Sequence, residues 1–417
     1  MAIPQTAYMD AELARHWLLE PGLTFINHGS FGACPIAVLQ VQADLRARME
    51  RDPVRFLSTD LNGELQRARE ALAAFLGADP ADLAFVANAT SGVNTVLRSL
   101  EETLSPGDEL LTTDHEYNAV LNAQRFVAGR RGATVKIARI PFPLSAADQV
   151  VDAILDAASA RTKLAVISHV TSATGLAFPI GRLVAALAGR GIDTLVDAAH
   201  APGMVPLDIT NLGAAYVAGN GHKWLCGPKG AGFLWVRRDR QPQIRPLVIS
   251  HGANAPTAER SRFRLEADWT GTSDPTPALS LPAAIDFMAT LHPDGWPGVM
   301  AANHALAIAG RDELCAALRI SPPAPDDMLG SMAALPIPVD MPPLPQGPTS
   351  LDPEETFPED PLHDELLARH RIQVPVGAWP PVPSRGPHQR LLRISAQRYN
   401  DADDYRRLAS ALLTRAG

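Results

Sequence analysis

Between residues 83 and 236 the chain repeats one pattern. A short run of β-branched and apolar residues gives way to a polar or glycine-containing break, then to helical spacing. The runs fall at 83–86, 109–112, 134–140, 163–170, 194–197, 214–218 and 232–236. Helical stretches at 93–100, 146–160 and 180–190 separate several of them. Strands alternating with helices pair mainly in parallel, because each crossover helix returns the chain to the same end of the sheet. The pattern therefore predicts an α/β fold. Its ligand would bind beyond the carboxyl ends of the strands.

The flanks read differently. Residues 1–25 are a polar lead-in with a short helix at 11–19. Residues 35–76 carry helical spacing through Val38, Val41 and Leu45, then Leu61, Leu65 and Leu72. After residue 285, helix-like stretches at 297–318 and 362–370 enclose a proline-rich segment at 321–361, with one strand at 335–339. A strand at 390–396 and a helix at 401–415 close the chain. The expected division is an N-terminal segment, 1–25, packing with a small domain; a large domain, 26–285; and a small α+β domain, 286–417.

Composition narrows the function. The chain is 46% hydrophobic and 20% charged, enough for a sizeable core. A net charge of −8 argues against a nucleic-acid partner. No apolar run reaches the ~18–20 residues of a membrane span, and the first residues lack the pattern of a secretory signal. Three widely spaced cysteines fit neither a disulfide framework nor a metal site, and point to a reduced, cytoplasmic setting. Lysine occurs only at 136, 163, 223 and 229, so lysine chemistry has four candidates.

Four features accompany the strands. Asn88-Ala89-Thr90-Ser91-Gly92 follows the first run and opens a helix, whose N–H groups suit a phosphate; an ordinary N-cap would look the same. Asp197 ends a strand, where a carboxylate needs a partner or caps the next helix. Lys223, in Gly221-His222-Lys223-Trp224, is placed for desolvation, which lowers an amine's pKa and makes it nucleophilic; it could equally be a surface lysine with its stem under Trp224. Asp114–Asn118 puts Tyr117 where it could stack on a flat ligand, or lie in a polar loop. Together they meet the needs of pyridoxal 5′-phosphate: a Schiff-base lysine, a carboxylate for the pyridine nitrogen and a phosphate cradle.

The wording and order of these motifs resemble the class V aminotransferase-fold enzymes, which are pyridoxal-phosphate-dependent and of fold type I. GHKWLCGPKG resembles the family's Schiff-base loop, and VDAAHAPG its pyridine-pairing strand. EYNAVL resembles the ring-covering segment, ATSGVN the phosphate loop, WTGT a cross-subunit phosphate contact, and RISAQRYN the carboxylate-binding strand. The resemblance spans about 24–410. It implies a mainly parallel seven-stranded sheet and a homodimer with shared sites. It also implies Lys223 as the Schiff-base residue, Asp197 on the pyridinium and His200 on the ring hydroxyl. Thr90, Ser91, Asn220 and His222 would hold the phosphate, with Thr272 reaching it from the other subunit. Tyr117 would cover the ring, and Arg393 would grip the substrate α-carboxylate.

FINHGSFGACP, DPVRFL, HVTSATGL and EADWTGTSDP most resemble the isopenicillin N epimerase subgroup, which also holds proposed C–S lyases, including hercynylcysteine sulfoxide lyase-like proteins. On that likeness Asn27, His28, Arg55 and Ser172 belong to the substrate side. Arg55 would serve a distal anion, and Tyr117 and His28 are candidates for a second acid. The implied reaction is epimerisation or racemisation at an α-carbon. C–S lysis is the alternative, with transamination behind both. The stretch 374–389 has no cysteine where desulfurases keep theirs.

Overall fold

The computed structural model describes residues 11–257, 260–338, 360–380 and 389–414. All seven apolar runs become strands of one sheet. These are β2 (Leu83–Val86), β3 (Glu109–Thr113), β4 (Thr134–Ala138), β5 (Thr162–Ser168), β6 (Asp193–Ala198), β7 (Tyr216–Asn220) and β8 (Gly232–Val236), following β1 (Thr24–Phe25) in the chain. Their order is β2-β8-β7-β6-β5-β3-β4. Only β8 runs antiparallel to its neighbours; the other pairings are parallel. The fold is α/β and mainly parallel, as expected.

Both faces of the sheet are covered. Along β5 and β6, Leu164, Val166 and Leu195 enter one core, while Ala165, Ile167 and Val196 enter the other. Residues two apart share a face, so a strand apolar at every position packs both ways.

A second sheet, of β9 (Met332–Pro336), β11 (Val376–Trp379) and β12 (Gln389–Ser395), is antiparallel in the order β11-β12-β9. Helices Gly295–Leu318 and Ala402–Leu413 pack together beside it. Gly310 permits that contact: a Cβ there would lie 2.6 Å from the Tyr405 ring. β1 pairs in parallel with β10 (Ile372–Gln373), tying residues 24–25 to this part of the chain.

Several boundaries differ from the sequence reading. The strand expected at 214–218 starts two residues later, because Gly213, at φ 77, ends the helix Ile209–Leu212 and Ala214–Ala215 complete the turn. The helical stretch 35–76 is interrupted. Helix Ile36–Arg51 stops before Pro53, which has no N–H to continue it; a π-turn at Phe56–Asp60 leads into Leu61–Leu76. The strand in the proline-rich segment lies at Met332–Pro336, and Val339 falls outside the described residues. The first helix is Ala11–Ala14, shorter than read. Among the described residues, no helix is long and apolar enough to cross a membrane.

Candidate active site

A hollow of about 200 Å³ lies at the carboxyl ends of the parallel strands. Helix Ala89–Leu100 points its N-terminus at it, the turn at 28–31 closes one side, and Lys223, Asp197, Thr90, Tyr117 and Ser172 line it. Lys223 sits in the loop after β7, which folds back so that Gly221 N–H donates to Ala231 O at 2.8 Å and Gly227 N–H to Gly221 O at 2.8 Å. The 28–31 turn lies so close that a Cβ on Gly32 would meet His222 O at 2.0 Å.

Lys223 Nζ lies 3.0 Å from His200 Nε2. On the far side of the imidazole, the Trp224 indole donates to His200 Nδ1 at 3.3 Å. An indole nitrogen only donates, so Nδ1 is the acceptor. The neutral ring then carries its proton on Nε2 and presents it to Lys223. Burial, with the lysine charge nearby, holds the His200 pKa well below the usual histidine value. Lys223 is half-buried, its exposure being to the hollow. Desolvation, then the Arg393 charge, lowers its pKa to about 7, against a smaller opposite pull from Asp197. The result is an amine that accepts a proton near neutrality.

Asp197, near the end of β6, is buried, and one carboxylate oxygen accepts the Ala199 N–H at 2.8 Å. Burial raises its pKa; the Ala199 bond and Lys223 oppose that. A second carboxyl, Glu116, escaped the sequence reading. Its Oε1 accepts both Ser168 Oγ at 2.7 Å and Tyr117 N at 2.8 Å, and Ser168 is the register neighbour of Asp197. Burial and Asp197 push the Glu116 pKa up to about 8. Burial thus disfavours the charged form of both carboxyls. The signal for Glu116 was its place beside Tyr117 in Asp114–Asn118.

At the helix N-terminus, Asn88 Oδ1 accepts Ser91 N at 2.9 Å and Ser91 Oγ at 3.2 Å. The Ser91 hydroxyl is thus engaged with the cap and, unlike Thr90, does not line the hollow. Asn220 also lines it, and its Oδ1 braces the helix by accepting Ala89 N at 2.8 Å. His222 completes this end, with Nδ1 3.4 Å from Ala231 O.

Arg393 comes from β12 of the second sheet. Its Nη1 donates to Ser172 O; its Nη2 donates to Ser30 Oγ at 3.0 Å and Asn27 Oδ1 at 3.4 Å. Its Nε is buried, with no hydrogen-bond partner among the described residues. All these acceptors are neutral, and among the described residues no carboxylate pairs with it. Asn27 and Ser172 thus position the arginine.

His28 corrects an expectation. It does not line the hollow: Nε2 bonds Lys223 O at 2.9 Å, Nδ1 bonds Tyr399 OH at 2.8 Å, and burial drives its pKa down to about 3. With both nitrogens engaged behind the lysine loop, it serves as a brace, not as a second acid. Arg55 is exposed and 3.7 Å from Asp60, and Thr272 is exposed; within one chain neither lines the hollow.

The hollow fits pyridoxal 5′-phosphate. It joins an amine, a buried carboxyl without a cationic hydrogen-bond partner among the described residues, and a helix N-terminus carrying the free Thr90 side chain. Comparison with known proteins agrees. Residues 37–315 match the family model described as aminotransferase class-V. The chain is 38% identical to isopenicillin N epimerase of Amycolatopsis lactamdurans, covering 94% of this chain and 95% of that protein. It is 33% identical to putative L-cysteine desulfhydrase 1 of Oryza sativa subsp. japonica, over 81% of this chain and 71% of that protein. In fold it resembles the apo structure of cysteine desulfurase from Thermococcus onnurineus NA1, with a TM-score of 0.77, 20% identity and 99% of each chain covered. Sequence, fold and cavity converge, and the chain belongs to the aminotransferase class-V family.

Proposed function

We propose that the hollow binds an α-amino acid, exchanges the proton on its α-carbon, and thereby serves an epimerase or racemase. One observation carries this reading. Lys223 lines the hollow, Arg393 stands in the wall of the space beside it, near enough for its charge to lower the Lys223 pKa, and neither is ion-paired among the described residues. A buried, unneutralised guanidinium calls for an anionic ligand, and its planar fork matches a carboxylate.

Pyridoxal 5′-phosphate is the cofactor of this class V enzyme; when bound, it draws electron density from the substrate's α-carbon. The Asn88–Thr90 turn and His222 would hold its phosphate, Asp197 its ring nitrogen, His200 its ring hydroxyl and Tyr117 its face. Arg393 takes the substrate carboxylate and orients the α-carbon. Lys223 Nζ, kept as a free amine by its surroundings, removes the α-proton. Return of a proton from the opposite face requires a second acid. Tyr117 fills that role: it lines the hollow, and burial and Asp197 raise its pKa, so the hydroxyl keeps its proton at neutral pH. Thr272, exposed on its own chain, reaches the phosphate of a second copy in a cytoplasmic homodimer.

A second reading is C–S lysis, supported by the relatives named L-cysteine desulfhydrase. It shares the proton removal and then expels a β-thiolate. A persulfide route lacks its nucleophile: residues 374–389 hold no cysteine, and Cys34, Cys226 and Cys315 are buried. The test is the holoenzyme in deuterated water with single enantiomers of amino acids. Deuterium at the α-carbon, with the opposite enantiomer on chiral chromatography, supports epimerisation. Pyruvate from cysteine conjugates transfers the assignment to the lyase, and no exchange with any amino acid refutes both.

A further inference from the structure

A second hollow, of about 190 Å³, adjoins the first. Ser30 lines both, the consecutive residues Ser172 and Ala173 line one each, and Arg393, bonded to Ser30, stands in the wall of the second. A ligand whose carboxylate lies on Arg393 therefore has this space beside it. Val376, Trp379 and Leu391 line it, with Ala173 and the Gly377–Ala378 segment; Gly377 pairs with Leu391, so these two and Arg393 share one sheet face.

The chemistry of these walls selects a ligand. Among the described lining residues there is no carboxylate, so a cationic side chain has no counter-ion here. Among the described lining residues the one cation is Arg393, which the α-carboxylate occupies, so a distal anion finds no second cation among them. Trp379 also lines it; its buried indole packs against His115 and Phe142, and its Nε1 has no hydrogen-bond partner among the described residues. An apolar cavity of about 150 Å³ takes a benzene ring, so a space of 190 Å³ suits a group of that size.

We propose that this hollow receives the substrate's side chain, and that the side chain is uncharged, apolar and of about benzene size. The proposal rests on reading the first hollow as an α-amino-acid site. It is an alternative to the expectation of a distal anion served by Arg55, which is exposed and 3.7 Å from Asp60.

Gly377 offers the decisive substitution. A Cβ built there meets nothing within 4 Å, and its φ is not positive, so Gly377→Leu fills space without disturbing the backbone. Residues 377 and 379 share a strand face, so the new side chain lies beside Trp379. The experiment measures α-proton exchange by the holoenzyme in deuterated water for alanine, leucine, phenylalanine, aspartate and lysine. Expected are kcat/KM values for leucine and phenylalanine about tenfold or more above those for aspartate and lysine. Gly377→Leu should lower the leucine-to-alanine ratio by about tenfold. If that variant does not fold, Gly377→Val, whose β-branched side chain suits a strand, replaces it with the same expectation. A preference for aspartate or lysine, or an unchanged leucine-to-alanine ratio, overturns the proposal while leaving the α-amino-acid reading intact. Absence of exchange even with alanine overturns both.

Discussion

Replacing Arg393 by lysine separates the shape of one contact from its charge. The guanidinium is held by Ser172 O, Ser30 Oγ and Asn27 Oδ1, which orient it without neutralising it. A lysine keeps the charge but offers one nitrogen, so one of two parallel bonds to a carboxylate is lost. A hydrogen bond to a charged group contributes about 1.5–3 kcal/mol. At about 1.4 kcal/mol per factor of ten, that is roughly a 10- to 150-fold fall in kcat/KM. Burial lowers the Arg393 pKa only to about 10, so the arginine stays charged between about pH 6 and 9. The assay compares exchange of alanine with that of ethylamine, which lacks the carboxylate. Arg393→Lys should cost alanine the full factor and ethylamine no more than about twofold. An equal loss for both would mean that the arginine does not touch the carboxylate.

Lys223→Ala should abolish turnover and the borohydride labelling of the holoenzyme; a labelled peptide carrying another lysine would refute the assignment. Because the Lys223 pKa is lowered to about 7 and only the free amine reacts, cofactor capture by the apoprotein should quicken as pH rises to about 7 and level off above it. A rate flat across that range contradicts this. Asp197→Asn should leave circular dichroism unchanged but slow exchange by about a hundredfold or more; near-native exchange counts against the pyridine contact. In the second sheet's helix pair, Gly310→Ala puts a methyl 2.6 Å from Tyr405 and should cost about 1–3 kcal/mol, read as a lower thermal midpoint. Sedimentation should find a dimer, and Thr272→Ala should weaken cofactor retention; an active monomer would remove Thr272 from the site.

The legible parts of this chain were those whose signal is local. The run Gly232–Val236 became a strand at its expected bounds, because an apolar pentapeptide between glycine-rich loops has few other places to go. The Lys223 loop and the strand-end aspartate announced themselves by residue type and by adjacency to a strand. The two- and four-residue strands β1, β10 and β11 carried no such signal, since their pairing energy comes from partners far along the chain. The broken helix after Arg51 was readable only at Pro53, and the π-turn that follows it not at all.

By itself, the sequence determined the α/β class, the mainly parallel sheet and the residues able to carry the chemistry, because periodicity, turn residues and scarce functional groups are written locally. Tertiary structure alone decided what each candidate does. It turned His28 away from the cavity to brace the lysine loop, engaged Ser91 in a cap, and set Glu116 beside Asp197. It also brought Arg393 from the second sheet near enough for its charge to act on Lys223, which lies 170 residues earlier in the chain. The physical reason is that pKa values, hydrogen-bond partners and cavity shape depend on groups that meet only when distant segments pack, and no local pattern encodes those meetings.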